Sequence, residues 1–431
     1  MVSSRLRQLR DERGLSLRDL AKRTFHGKTY LHELETGRKS PTMQVAQRLD
    51  DVLEAGGELA ALAAIRPGVR RREFVAAAGL ATALPHTLLA HGRHVGAATP
   101  GRLAARIARL RRLDNHLGGA DTHHLYAAEV DATARLVRDG AYDESTGRQL
   151  LAVLAEQAQL AGWAAFDAGN HRDADRLYRL SLAAARDAED ASLAANGMAF
   201  LAYQQLALGG QAADTAAAAC DTAGTAATIG VRALLHLRTA WAYAVAGDAA
   251  AVDRHLDIGT TCLAEHDDRP DPDWVYWVDR TEDEIMTGRC WSVLHRPVRA
   301  IPVLERALAG FDDTHARDKA LYLSWLADAY IDANEIEQAC ATAAAAIRLS
   351  GGIGSIRPGQ RLDAVVARVE PHADLPCVIE LRALAAEVSR RNAARLRSGG
   401  CFAMVCDDVD RDGGFVAMPV YVGSAGLVLG V

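Results

Sequence analysis

The sequence has few lysines, few aromatic residues and no long apolar run. Only four of its 49 basic side chains are lysine, and aromatic residues make up 5% of its 431 residues. No stretch approaches the ~18 consecutive apolar residues of a membrane span. The first residues, MVSSRLRQLRDERG, lack the apolar centre of a secretory signal. These absences predict a cytoplasmic protein without a membrane segment.

Cysteine is scarce and scattered. The seven cysteines never form a Cys-x-x-Cys pair, and they lie at positions 220, 262, 290, 340, 377, 401 and 406. An odd, scattered set of this kind is typical of reduced thiols that are mostly buried. We therefore expect neither a disulfide framework nor a metal site.

Recognisable catalytic constellations are missing as well. HELE (32–35) lacks the second histidine of a His-Glu-x-x-His zinc motif, and no phosphate-binding glycine loop follows a strand, because no strand is predicted. The acidic stretch HDDRPDPDW (266–274) has two prolines and lacks the glycine of a calcium loop, so a solvated loop is expected there. The sequence thus predicts neither an enzyme nor a cofactor.

Charge is divided unevenly along the chain. Residues 1–49 hold eleven Arg and Lys against five Asp and Glu, a net charge of +6. The whole chain carries −6, which leaves −12 for residues 50–431. A basic head on an acidic body indicates a polyanionic partner for the head alone.

Short helical patterns with clear punctuation fill the head. Ser16 and Asp19 have the spacing of a partial capping box, and Ser40 before Pro41 has that of an N-cap followed by proline at the first helical position. Apolar residues recur at helical spacing, and those expected to face inward are Leu6, Leu9, Leu17, Leu20, Ala21, Leu31, Leu34, Met43, Ala46, Leu49, Leu53, Leu59 and Leu62. Residues 1–65 are therefore predicted to form a five-helix domain.

One stretch of the head, LAKRTFHGKTYLHELETGRKSPT (20–42), resembles the helix-turn-helix of Xre-type DNA-binding domains, the family of phage repressors. The matching elements are Leu20-Ala21, Leu34-Glu35-x-Gly37, Arg38-Lys39 and Pro41. The resemblance implies a recognition helix that presents its outer positions to base edges in the major groove. Phe25 and Gly27 depart from the family, which has glycine in the turn and a serine or threonine cap. We therefore expect a wider turn and a less firmly anchored recognition helix.

Leu31 and Leu34 are expected to face the protein, which leaves the other side chains of this helix to DNA. Those predicted to contact bases are Lys28, Thr29, Tyr30, His32 and Glu33. Those predicted to contact phosphate are Arg10, Arg38, Lys39 and Ser40. For Arg10 an alternative stays open, because in the family an arginine at this position pairs with a glutamate at that of Glu35.

Two segments outside the main domains have distinct compositions. Residues 66–100 are predicted to be a linker with a packed apolar helix; RPGVRRREFVAAAGLATALPHTLLA looks like a twin-arginine export signal, but such a signal is N-terminal and here a whole domain precedes it. Residues 399–431 are rich in glycine and are predicted to be an irregular tail.

The segment 101–398 is predicted to be helical throughout, with a degenerate helix-turn-helix repeat. AGWAAFDAGNHRDADRLYRLSL (161–182) has small and aromatic residues at the spacings of a repeat of about 34 residues. The corresponding sets are Gly162, Gly169, Ala174 and Tyr178; Ala240, Tyr243, Gly247 and Val252; Gly288, Trp291, Ala300 and Leu304; and Ala327, Tyr330, Asn334 and Ala339. The pattern resembles tetratricopeptide repeats, which predicts an all-α chain with a helix-turn-helix head and an α-solenoid body.

Stacked repeats of this family form a concave surface that is lined by the first helix of each unit and suits peptides. Extending the register predicts a ligand-binding face of Glu156, Gln159, Trp163, Phe166, Gln204, Trp241, Glu282, Arg289, Asp328 and Asp332. A short peptide or small amine-bearing ligand would suit it, with Arg289 available for a carboxylate. Trp163 and Trp241 fit the core equally well.

The combined pattern resembles bacterial regulators with an Xre-type head and a tetratricopeptide body. It implies a transcriptional regulator that binds double-stranded DNA as a homodimer and whose body senses a peptide or small ligand. The alternative is an interaction scaffold, in which the body binds a partner protein and the head is a vestigial or dimerising module.

Overall fold

The computed structural model describes residues 2–24, 26–39, 41–53, 55, 59, 94–114, 117–265, 269–311, 315–351 and 353–398. These residues are helical apart from turns, loops and an isolated β-bridge between His94 and Ala141. The predicted all-α class is therefore confirmed. The contacts between residues divide the chain into two compact units, Met1–Ser389 and Arg390–Val431. Among the described helices, none has both the length and the apolarity needed to cross a bilayer.

The helices fall into a head and a body. Those of the head are α1 (Val2–Glu12), α2 (Leu17–Thr24), α3 (Lys28–Glu35) and α4 (Met43–Leu53). Those of the body are α5 (Thr99–Asp114), α6 (Gly119–Asp139), α7 (Glu144–Asp167), α8 (His171–Asp187), α9 (Ala191–Ala207), α10 (Ala213–Ala223), α11 (Ile229–Ala246), α12 (Ala249–Ala264), α13 (Arg280–Val293), α14 (Pro297–Ala309), α15 (Ala316–Asp332), α16 (Ile336–Ser350), α17 (Arg357–Arg368) and α18 (Pro376–Ser398).

The head is held by the apolar side chains that the sequence pattern places inward. Its buried core comprises Leu6, Leu9, Leu20, Leu31, Leu34, Leu49, Leu53, Ala55 and Leu59. At the start of α2 the capping box is complete, since the Asp19 amide donates to Ser16 Oγ and the Ser16 amide donates to Asp19 Oδ2. The cap of α4 differs from the prediction, because Thr42 Oγ1 accepts the Val45 amide and the helix begins two residues after Pro41.

Several predicted segments lie largely outside the described residues. Of the predicted fifth head helix only Leu59 and Ala55 are described; Leu59 is buried and its amide donates to Asp50 Oδ1 at 2.8 Å. Most of the predicted 66–100 linker and all of the 399–431 tail also lie outside, as do Phe25 and Ser40.

The body consists of successive helices packed as hairpins, and in four of them a residue with positive φ follows the end of the first helix within two positions. These residues are Gly169 (83°), Gly247 (82°), His295 (53°) and Asn334 (61°). Each stands seven positions after a small residue of the predicted repeat, namely Gly162, Ala240, Gly288 and Ala327. At each turn the amides that follow the helix bond back to its last carbonyls, as in a Schellman motif. The predicted repeat register therefore agrees with the turns.

Close approach between paired helices explains the glycines of the repeat. A Cβ on Gly162 would lie 2.6 Å from Cε1 of Tyr178, a buried ring that stacks on Phe200. At Gly288 a Cβ would collide with Leu304 in the next helix. Small residues on one helix thus make room for large ones on its partner.

Residues near the start of the body contact residues near its end, which the repeat pattern did not predict. The Ala120 amide, at the start of α6, donates to the Gly354 carbonyl at 2.9 Å, just before α17. Near this junction Arg317 of α15 pairs with Asp114 of α5 at 3.1 Å. The expected open concave surface is therefore bounded by these contacts and forms the wall of an interior cavity.

Adding a methyl group at the α7–α8 contact should destabilise the body. Because the Tyr178 ring is buried and stacked, we expect Gly162→Ala to lower the free energy of unfolding by about 1–3 kcal/mol. Urea denaturation followed by circular dichroism measures this. Gly101→Ala is the matched control, since a Cβ at this helical position meets nothing within 4 Å. Equal stability of the two variants would contradict the packing argument.

Candidate nucleic-acid interface and ligand cavity

Helix α3 has one buried face and one face in solvent. Leu31 and Leu34 are buried and pack in the head core beside α1 and α2. Lys28, Thr29 and His32 are exposed, whereas two further predicted base-contacting residues, Tyr30 and Glu33, are partly buried. The helix therefore presents its N-terminal lysine and threonine to any partner that covers this face.

Glu33, Lys39 and Tyr30 form one local unit rather than three independent contacts. The Lys39 ammonium lies 2.7 Å from Glu33 Oε2 and 5.8 Å from the centre of the Tyr30 ring. The hydrogen bond to Glu33 raises the pKa of Lys39. Because both side chains are accessible, water or phosphate can compete for the ion pair.

Arg10 pairs with Glu35, which is the alternative that the sequence analysis left open for this residue. Its Nε donates to Glu35 Oε1 at 2.6 Å, its Nη2 donates to Oε2 at 3.0 Å, and its Nη1 donates to the Leu15 carbonyl at 2.9 Å. The bond to Glu35 raises the pKa of Arg10. This bidentate pair joins α1 to α3, so the guanidinium has a structural role. Arg38 is exposed, and Ser40 lies outside the described residues.

The start of α3 has no side-chain cap. Gly27 is the N-cap residue, and no side chain accepts from the first amides of the helix. These amides point toward the exposed face that Lys28 and Thr29 share, and they add positive partial charge there. A phosphate or another acceptor on this face would take the place that a serine side chain has in the family.

In the body, five of the ten predicted ligand-face residues line one cavity of about 720 Å³. They are Glu156, Gln159, Trp163, Glu282 and Arg289. All five belong to the first helix of a predicted repeat unit, α7 or α13, and Trp163 directly follows Gly162 of the repeat. The volume lies within the range of small-molecule and short-peptide sites.

The other five predicted residues do not line this cavity, and each has another partner. Phe166 packs against Tyr203, and Gln204 donates to the His171 carbonyl at 2.6 Å. Trp241 is buried against Trp325, which matches the core alternative. Asp328 and Asp332 pair with Arg368 of α17 at 3.0 and 2.5 Å. The repeat register therefore brings only part of the predicted ligand face to the cavity.

Repeat spacing missed an arginine–aromatic wall of the cavity. Arg238 lies 4.3 Å from the centre of the Phe200 ring, and Arg357 lies 4.5 Å from that of Trp163. Arg289 is 5% exposed, and its Nε finds no hydrogen-bond partner among the described residues. Three guanidinium groups in a largely buried space favour an anionic group in the cavity.

The phenol of Tyr203 stands between two of these arginines. Its oxygen accepts from Arg357 Nη2 at 3.0 Å and from Arg289 Nη2 at 3.2 Å. Burial alone would raise the pKa of Tyr203, but the positive charges of Arg357, Arg289 and Arg238 outweigh it and lower the pKa to about 8. The phenol is therefore close to ionisation at physiological pH.

The cavity also has acidic side chains. Burial raises the pKa of Glu282 to about 7, and its Oε2 accepts from the Tyr322 hydroxyl at 3.1 Å. Burial also raises the pKa of Glu156, which pairs with Arg111 at 2.7 Å. The lining thus offers both cationic and acidic groups, as a ligand with both charges requires.

The stretch 266–274 was predicted to be a solvated loop, and its described residues 269–271 are exposed, whereas Trp274 at its end is buried. Trp274 and Trp277 line the cavity. Asp273 pairs with Arg112 at 2.7 Å and also with Arg111, both of α5. Asp273 therefore holds the 3-10 turn Asp273–Val275, and the tryptophan within it, against α5. The tryptophan next to an acidic residue at 273–274 was the sequence feature that could have revealed this aromatic wall.

Tyr203 should ionise before the other tyrosines. Its pKa of about 8 lies below the ordinary value of about 10, so tyrosinate absorbance should show an early step between these pH values. Tyr203→Phe should remove this step, and Arg357→Met should move it to higher pH. Tyr243→Phe is the control. The lowered pKa also affects stability. Between pH 8 and the ordinary pKa of about 10, the folded protein loses this proton before the unfolded chain does, so the free energy of unfolding of wild type should rise relative to that of Tyr203→Phe. An unchanged titration in Tyr203→Phe would refute the assignment.

Comparison with known proteins bears on the head. Residues 2–63 match the helix-turn-helix domain family. No curated protein and no solved structure matches the chain. The match covers α1 to α4, including the exposed face of α3 and the Arg10–Glu35 pair. The chain therefore carries a helix-turn-helix domain at residues 2–63, which indicates DNA binding.

Proposed function

We propose that the protein is a sequence-specific transcriptional regulator with an Xre-type head, and that ligand binding in the cavity of its tetratricopeptide-like body controls DNA binding. The observation that carries the proposal is the coincidence of a helix-turn-helix match with an exposed recognition face on α3. The net charge of +6 on residues 1–49 supports a polyanion as the partner.

Within the head, side chains divide into base and phosphate contacts. Lys28 and Thr29 are exposed at the N-terminal end of α3, which is the part of a recognition helix that enters the major groove. A lysine there suits guanine O6 and N7. Arg38 and Lys39 follow α3 and suit phosphate, and release of Lys39 frees Glu33 to accept from cytosine N4.

The body is proposed to bind a short peptide or a small ligand with a carboxylate and an amine. The carboxylate would meet Arg289 and Arg238, and the amine would meet Glu282 or Glu156. Tryptophans beside both groups favour an apolar or aromatic middle part. A ligand controls DNA binding only if it binds two states of the protein differently.

A homodimer is part of the proposal, because one head reads only a few base pairs. Two heads on half-sites about one helical turn (34 Å) apart would give the necessary specificity. The selected DNA sequences test this directly, since a dimer enriches inverted repeats whose half-sites are spaced by about one turn.

Selection of bound duplexes from random DNA tests the DNA-binding proposal. We expect enrichment of one site at moderate salt. Lys28→Ala should relax the preference at a single base pair, which costs about 1–3 kcal/mol at that position. Arg38→Ala should weaken binding to all sequences and reduce the salt slope by about 1.

Arg172→Ala is the matched control, because it removes one exposed positive charge from the body. Its binding to the selected site should equal that of wild type. No enrichment at either low or moderate salt, with recovery of one stoichiometric partner protein instead, would favour the scaffold alternative and contradict this function.

Tryptophan fluorescence tests the ligand proposal, since three tryptophans line the cavity. The probes are short peptides with a free C-terminal carboxylate and the same peptides with an amidated C-terminus. We expect quenching by the free acids, and roughly tenfold weaker binding for the amides and for Arg289→Met. Arg176→Met, which removes an exposed arginine of α8, should bind as wild type. Equal binding of acids and amides would refute the carboxylate assignment.

A further inference from the structure

Three side chains from successive helices converge on the side of the body formed by α10, α11 and α12. Cys220 lies on α10, His236 on α11 and His255 on α12. Nδ1 of His236 is 2.9 Å from Nδ1 of His255 and 3.9 Å from Sγ of Cys220. The three donor atoms all lie within 4.8 Å of one another.

The surroundings of this cluster suit ligand atoms rather than a charged network. Thr239 Oγ1 lies 3.3 Å from Sγ of Cys220, and the Tyr243 ring stacks on His255 at 5.4 Å. The charged groups nearest to the three donors are Asp221, Arg232 and Arg254. Each of these side chains acts on the donors through its charge, and the three donor atoms lie close to one another.

We propose that Cys220, His236 and His255 bind a zinc ion, with the fourth coordination position open to water or to an exogenous ligand. One thiolate and two imidazoles are a nitrogen–sulfur set that zinc prefers, and three protein ligands with an open position are typical of accessible zinc sites. The site is separate from the cavity, because none of the three residues lines it.

The distances require only small side-chain adjustments. With Zn–N bonds of about 2.0 Å and a Zn–S bond of about 2.3 Å, tetrahedral geometry sets the ligand atoms roughly 3.3–3.6 Å apart. The nitrogen pair must open slightly and the Cys220–His236 pair must close slightly. Rotation about χ1 and χ2 of partly buried side chains supplies such shifts.

Binding must displace protons in a definite way. The cysteine thiol loses its proton to solvent, and both Nδ1 atoms offer lone pairs while the Nε2 atoms carry the protons. Binding therefore releases the thiol proton, and it weakens as pH falls because protons compete with the metal for the three donors.

The linear sequence contains no sign of this site. Cys220 and His236 are 16 positions apart, and His236 and His255 are 19 positions apart. The three residues lie on three successive helices, and none belongs to a known metal motif. Packing of α10, α11 and α12 alone brings them together. An ion held there would join two adjacent helical hairpins of the body.

Cobalt substitution of the chelator-treated full chain tests the site. We expect one Co²⁺ per chain with tetrahedral d–d bands and a thiolate-to-cobalt charge-transfer band, both removed by added Zn²⁺. Zn²⁺ should raise the melting temperature of wild type, and Mg²⁺ should not. Cys220→Ser should abolish the charge-transfer band, and His255→Ala should abolish tetrahedral binding.

Cys377→Ser and His124→Ala are the matched controls, because they remove a cysteine and an exposed helical histidine outside the cluster. They should bind Co²⁺ as wild type. Circular dichroism identifies any variant that fails to fold, and the remaining single-ligand variant then decides. A cluster that serves only as a hydrogen-bonded pair of histidines would give no charge-transfer band and no zinc-dependent stabilisation, and either result would overturn the proposal.

Discussion

The helical body depends on one buried carboxylate, Asp167, at the end of α7. Its side chain is fully buried, and it accepts from the Gly119 amide at 2.8 Å and from Ser355 Oγ at 2.7 Å. Two guanidinium groups, of Arg317 and Arg357, lie 3.8 and 3.6 Å away. These contacts bring together segments nearly 190 positions apart along the chain. A charge removed this far from water is stable only because every partner is present.

Closure of the body determines the character of its interior. First helices of successive hairpins would line an open groove if the ends did not meet; here they enclose a space with cationic and acidic walls. Some of its charged groups are buried, Arg289 among them, so these charges act more strongly than they would on a surface. The head needs no such burial, because the polyanion that its charge favours attracts it over a long range. Charge is therefore used in two different ways within one chain.

Periodic features could be predicted from the sequence, and long-range pairs could not. The head helices, the positive-φ turns at Gly169 and Gly247, and the cavity positions of Glu156 and Trp163 all follow from local spacing. Asp167 and the Cys220 cluster depend on contacts between distant segments, and no local pattern marks them. For Arg10 the sequence left two possibilities, because the family resemblance implied a pair with Glu35 whereas the positive charge suggested a phosphate contact. Only half of the predicted ligand face lines the cavity, because the repeat spacing does not specify how each helix contacts its neighbours.

Arg357 belongs to two structures at once. Its guanidinium pairs with Asp167 at the junction and donates to Tyr203 in the cavity. An anion that drew this side chain into the cavity would weaken its contact with Asp167, and a weakened contact would in turn free the side chain for the anion. By thermodynamic linkage the two effects would be equal in size. Anion binding in the cavity and the stability of the contact between α7 and α17 would then report the same equilibrium.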